Sequence, residues 1–162
     1  AAGAGPVLRQ LTPIKTHNPV PAMATFYWPV RVYYEDTDAS RVVYHAAYVK
    51  YFERARTEWL RAMGFSQHAL HDELGVVFTV ANLELDFLRP ARLDDELQVA
   101  VSVEQVRRSS LTFSQDLHRK GEGGTPLARA RVRIGCVDVA NFRPCAMPEA
   151  FMNRLEHKKG TG

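Results

Sequence analysis

Two cysteines, Cys136 and Cys145, are all that the 162 residues contain. A disulfide framework needs more, and a zinc site needs them paired at short spacing, so both architectures fall away and the two read as reduced thiols. Long apolar runs are missing too. A membrane span takes ~20 consecutive apolar residues, whereas the best candidate, 20–30, is broken by Pro21 and Pro29. No basic stretch leads into an apolar core with a small-residue cleavage site, so secretion has no support and the cytoplasm is the expected compartment. Charge of one sign is scarce in excess: 21 basic against 18 acidic residues leave a net charge of +3. That balance argues against nucleic acid as a partner but suits a small anionic ligand, which needs only a few local cations.

What is present is ordinary for a folded domain. Hydrophobic residues make up 46% and charged residues 24%, which supports one globular core, and the length leaves little room for a second domain. Residues 1–22 differ from the rest, with Pro6, Pro13, Pro19 and Pro21 and no helical or strand period. They read as an N-terminal extension or a cloning remnant, with Met23 a natural start and 23–162 the working domain.

Along the domain, aromatic and β-branched residues predict a strand over Tyr27–Tyr34 that stops in the polar run Glu35-Asp36-Thr37-Asp38. Tyr48, Phe52, Ala55, Trp59 and Ala62 then recur at steps of three and four, the period of an amphipathic helix. Gly64 can end it. Ser66 can cap a second, short helix that Gly75 stops near Leu74. Past Gly75 the period becomes two, giving four further strands, with breaks at Pro90, at Arg107–Ser110 and at Lys120–Gly124. Pro144 and Pro148 precede a short terminal helix. A strand, a long helix and four more strands with no helices between them predict an α+β domain, an antiparallel sheet with the helix on one face.

The chemistry-bearing stretch runs from Tyr33 through Asp38 and His45 to Tyr48. It sits just ahead of the long helix, where unpaired backbone N–H groups carry partial positive charge and stabilise an oxygen developing negative charge. Asp38, a few residues upstream, offers a carboxylate that can attack a thioester carbonyl or activate water. His45, seven positions on, can orient substrate or shuttle a proton. The plainer reading of the same residues is a helix cap and a surface histidine. Tyr34 either lines a pocket or packs in the core. Arg107, Arg108, Ser109 and Ser110 form the best cluster for anionic phosphates, against the alternative of a polar turn. Arg129, Arg131 and Arg133 share one strand face, where a solvated surface competes with a phosphate or a protein partner. Trp59 and Phe52 belong to the core stripe, with an acyl tunnel as the rival.

The run Tyr33-Tyr34-Glu35-Asp36-Thr37-Asp38-Ala39-Ser40-Arg41-Val42-Val43-Tyr44-His45-Ala46-Ala47-Tyr48 closely resembles the signature of hot-dog thioesterases related to 4-hydroxybenzoyl-CoA thioesterase, in particular the acyl-CoA thioesterases associated with the Tol-Pal system. Trp28–Val32, Tyr51–Glu58 and Pro90–Asp95 agree, and the similarity extends from about Phe26 to Pro148. The resemblance implies a five-stranded antiparallel sheet wrapped around one long central helix, and a homodimer or homotetramer with active sites at the subunit boundary. It implies hydrolysis of acyl-CoA with no metal or cofactor. Asp38 falls at the family's catalytic carboxylate, His45 at its histidine, Tyr34 at its pocket tyrosine, and the carbonyl-polarising helix-start amide near Tyr44. Acyl carrier protein and the inner membrane surface are further expected contacts. An alternative keeps the fold and drops hydrolysis, leaving an acyl-thioester or acyl-carrier-protein binding scaffold of envelope machinery. A hot-dog dehydratase is a third, weaker reading. One departure stands out: Ser40-Arg41 replaces the Gly-Gly common in that family. If that place needs a glycine-only conformation, Arg41 either adopts it at a cost or reshapes the loop.

Overall fold

The computed structural model describes residues 24–157; the extension 1–22 and Met23 lie outside them. Strand β1 covers Phe26–Arg31, shorter than the pattern of aromatic residues suggests. Val32 turns fully inward, and Tyr34–Asp36 coil into one turn of 3-10 helix held by the Asp36 carboxylate accepting the Tyr33 N–H at 2.8 Å. Side-chain capping by an aspartate competes with strand extension here and wins.

Helix α1 spans His45–Ala62. Its buried stripe is Ala47, Tyr48, Tyr51, Phe52, Ala55, Trp59 and Leu60, so the predicted face is correct except that Ala62, the last residue of the helix, lies exposed. Gly64 at φ +91° reverses the chain. Helix α2, Gln67–Leu74, begins where the Ser66 hydroxyl accepts the Ala69 N–H at 3.0 Å and ends at Gly75, left-handed at φ +66°. Four strands follow: β2 (Val76–Phe87), β3 (Glu96–Val106), β4 (Ser110–Arg119) and β5 (Ala128–Asp138), before helix α3 (Glu149–His157).

The strands form one sheet in the order β1-β3-β4-β5-β2, antiparallel at every junction. Alternate residues of β3, β4 and β5, among them Val99, Phe113 and Val132, are buried beneath α1, because each amphipathic element must cover its apolar side. Trp59 stands edge-on to Phe113, ring centres 5.0 Å apart, and Phe151 of α3 closes the same cluster at 6.3 Å. This is the hot-dog arrangement, an α+β fold with the sheet wrapped on one long helix. Among the described residues no helix is long and apolar enough to cross a membrane. Cys136 and Cys145 are both free thiols, and burial pushes the Cys136 thiol up to about 12.

The two edges of the sheet are unequal. β1 is six residues long and contains Pro29, whereas β2 runs twelve residues and leaves Val80, Leu83 and Phe87 exposed. A long apolar edge carries unpaired backbone donors and acceptors that invite another strand.

Candidate active site

The loop from Thr37 to Tyr44 is pinned from several sides. Asp38 N–H donates to the Val42 carbonyl at 3.1 Å, Arg41 N–H to the Asp38 carbonyl at 2.9 Å, and Val43 N–H to the Ala91 carbonyl at 2.8 Å. Beneath it the buried Tyr48 hydroxyl accepts the Ala91 N–H at 3.1 Å. These bonds hold Asp38 at the rim of a cleft of about 330 Å³, lined also by Val42, His45, Tyr48, Phe87 and Arg89. The wall facing Asp38 is aromatic: Phe87 lies edge-on to Tyr48 at 5.3 Å and to His45 at 6.5 Å.

Asp38 is exposed. Its Oδ1 accepts the Ser40 N–H at 2.8 Å and also the Ser40 hydroxyl, and these two bonds, aided by His45, hold the carboxyl below the usual aspartate range. It is therefore an anion at neutral pH, ready to act as base or nucleophile.

The helix start behaves differently from the expectation at one residue. The Tyr44 N–H is already donated to the Asp36 carbonyl at 2.8 Å, and the Ala47 N–H to the Tyr44 carbonyl at 2.9 Å. The Tyr44 amide itself is thus engaged, so the expectation of a polarising amide near Tyr44 turns on its neighbours at the helix start. Among the described residues the N–H groups of His45 and Ala46 have no acceptor, and no side chain caps the helix. They are the free donors of this end.

Tyr34 is a second case. It sits on the 3-10 turn, 82% exposed, with its carbonyl taken by the Thr37 N–H and hydroxyl. It neither packs in the core nor lines the cleft of its own chain. Arg107–Ser110 is a third case. That cluster is the β3–β4 hairpin turn, closed by the Arg107 N–H on the Ser110 carbonyl at 2.8 Å. Asp38 belongs to the opposite end of the sheet, near the Arg119 end of β4, roughly 30 Å away at ~3.3 Å per strand residue. Within one chain the structure does not bring hairpin and carboxylate together. The outer-face arginines are largely spoken for: Arg129 grips Asp116 through two nitrogens at 2.8 and 3.2 Å, and Arg131 meets Glu104 at 3.0 Å.

A smaller cavity of about 120 Å³ lies farther along α1, walled by Trp59, Leu60, Phe78 and Phe113 with Glu53 and Arg56 beside them. Arg56 donates to the Gln115 side chain at 3.0 Å, and that buried amide donates in turn to the Phe52 carbonyl at 3.0 Å. Burial explains the polar chain, since every donor placed there needs an acceptor. Phe52 itself is core. Sequence reasoning missed Phe87, Arg89 and the Ala46 amide; the first two lie some fifty residues from Asp38 in sequence, and the third carries no side-chain signal.

A family model described as the thioesterase-like superfamily matches residues 32–155. The chain is 43% identical over 134 residues to the acyl-CoA thioesterase YbgC of Haemophilus influenzae, covering 83% of this chain and 96% of that protein. It is 46% identical over 127 residues to the acyl-CoA thioester hydrolase YbgC of Escherichia coli O157:H7, covering 78% and 92%. Among solved structures, a probable thioesterase from Bartonella henselae superposes with a TM-score of 0.72 at 31% identity, covering 77% of this chain and all of that one. Fold, matched span and identity agree, and this chain belongs to the thioesterase-like superfamily.

Proposed function

We propose that the protein hydrolyses acyl-coenzyme A thioesters to a carboxylic acid and free coenzyme A, with Asp38 as the catalytic carboxylate. The observation that carries this reading is convergence: an ionised Asp38 and His45, whose amide has no acceptor among the described residues, line one cleft walled by Tyr48 and Phe87, and the free Ala46 amide is the next along the helix. The activity named for the two YbgC relatives points the same way. The thioester carbonyl oxygen docks on the two amides, which stabilise the negative charge it gains as the carbonyl carbon becomes tetrahedral. Asp38 then either attacks that carbon, forming a mixed anhydride and expelling the thiolate before water cleaves it, or takes a proton from an attacking water. The His45 ring lines the same cleft and orients the thioester. In a single turnover in oxygen-18 water, label entering Asp38 marks the covalent route.

The working unit in this proposal is a homo-oligomer built through the β2 edge. Phe87 closes β2 and also lines the cleft, so a second copy paired along that edge lies beside the cleft. Such a copy also offers a way to bring an Arg107–Ser110 hairpin within reach of the phosphates, which one chain alone does not do. Light scattering that reads a single-subunit mass in solution overturns this part.

The test of the activity is thiol release from a panel of acyl-CoA and acyl-carrier-protein thioesters. Turnover that rises with one acyl class supports the enzyme. Tight binding without thiol release means a scaffold, and overturns it.

A further inference from the structure

Arg41 combines a strained backbone with a free charge. Its φ of +63° lies in the left-handed region that favours glycine, and only Asp94 and Phe142 share that feature among the described non-glycine residues. The side chain is exposed and, among the described residues, has no hydrogen bond or ion pair. It does not serve Asp38, whose carboxylate takes its bonds from Ser40. Four arginines elsewhere on the surface are matched, Arg31 with Glu96, Arg119 with Asp95, Arg129 with Asp116 and Arg131 with Glu104, whereas Arg107, Arg108 and Arg133 share with Arg41 the lack of an ion pair among the described residues.

A second unmatched arginine lies beside it. Val42 and Arg92 form an antiparallel bridge, and residues opposite one another in such a pair point to the same side. Val42 lines the Asp38 cleft, so Arg92 rises on the cleft side of this short ribbon. Arg92 is exposed and is held through its backbone, its N–H donating to the Asp95 carboxylate at 2.9 Å and its carbonyl accepting the Asp95 N–H at 3.2 Å, while its guanidinium has no partner among the described residues. Arg89, inside the cleft, is already held by Glu122 and the Thr125 carbonyl. Both arginines thus adjoin Val42, a residue of the cleft lining, Arg41 as its neighbour in sequence and Arg92 across the bridge.

We propose that Arg41 and Arg92 form a phosphate-binding rim that holds the phosphorylated arm of the thioester substrate as its acyl end enters the Asp38 cleft. A guanidinium presents several N–H donors in a plane that matches phosphate oxygens. The ligand chemistry is phosphate on a pantetheine arm, common to coenzyme A and to the prosthetic arm of a carrier protein. The choice of ligand rests on the thioesterase reading; the rim itself is tested without turnover.

The experiment measures equilibrium binding of coenzyme A, 4′-phosphopantetheine and pantetheine to the intact protein and to Arg41→Gly, Arg92→Gln and the double variant. Wild type binds coenzyme A more tightly than pantetheine, and each single variant lowers that preference by about five- to ten-fold. Arg41→Gly also melts a few degrees higher, because glycine accepts a positive φ freely. A parallel loss for 4′-phosphopantetheine assigns the rim to the 4′-phosphate, and a loss confined to coenzyme A assigns it to the nucleotide phosphates; either supports the proposal. A wild type with no preference for coenzyme A, or variants that weaken pantetheine and coenzyme A equally, overturns it. Absence of thiol release from every thioester, by contrast, sinks the hydrolytic reading and leaves the binding ratios to judge the rim.

Discussion

The two ends of α1 are built on opposite terms. At its C-terminal half Trp59 and Leu60 sink into the sheet, and Trp59 meets Phe113 and Phe151 in edge-on contacts. At its start, Tyr44 and His45 stay exposed, no side chain caps the helix, and two backbone donors have no acceptor. A cap there is worth about 1 kcal/mol to a helix, and its absence fits the proposed division of α1 into one end for stability and one for chemistry. One element thus supplies a rigid body and leaves an electropositive tip open to a ligand.

The sharpest way to break that comparison is to cut away the stable end. Trp59→Ala removes a large buried ring and leaves a cavity, and we expect a loss of about 3–5 kcal/mol in denaturant unfolding. A loss below about 1 kcal/mol means the cluster does not anchor the helix. Next in size is Asp38→Asn, which keeps the shape of an exposed side chain and removes its charge. Turnover is expected to fall by at least ~100-fold, while the melting temperature moves by less than about 2 °C, as for other surface changes. Near-normal turnover in the folded variant removes Asp38 from the mechanism. Between the two ends, Tyr48→Phe strips the acceptor from the buried Ala91 N–H. The orphaned donor costs about 1–3 kcal/mol, and a neutral result in thermal unfolding means that Ala91 finds another partner.

Legibility in the sequence follows the same division. The stable end was readable because its signals are local and periodic: bulky residues every three or four positions, then Gly64, Ser66 and Gly75 at the turns where each is chemically required. Ala62 departs from the stripe: it is the last helical residue and lies exposed, while the next residue, Met63, is buried. The strands β2 to β5 were readable from alternation. Near the site, the Asp38 and His45 positions could be picked out from the motif, but not which amides are free. That depends on the Tyr34–Asp36 turn, whose backbone carbonyl takes the Tyr44 N–H and whose geometry leaves Tyr34 in solvent. The distance from Asp38 to the Arg107 hairpin was hidden for a different reason. It is set by which end of the sheet each loop joins, through the pairing of β1 with β3 and of β3 with β4, a long-range property that no window of residues contains.

The smallest expected effect tests how the open end holds its charge. In Ser40→Ala the Asp38 carboxylate keeps the backbone N–H bond at 2.8 Å and loses the hydroxyl bond. Both bonds favour the anion, and together they pull the group below its ordinary range. The sign follows directly: with one donor gone the proton binds more readily, so the acid limb of the kcat/KM profile moves to higher pH. Activity in wild type therefore persists to a pH at which the variant has begun to fail. The helix end itself is untouched, so the melting temperature should barely change. An acid limb that stays in place means that Ser40 does not hold the anion in solution. A limb that moves down instead assigns the titration to some group other than Asp38, and with it removes the charge that the exposed end of α1 is arranged to meet.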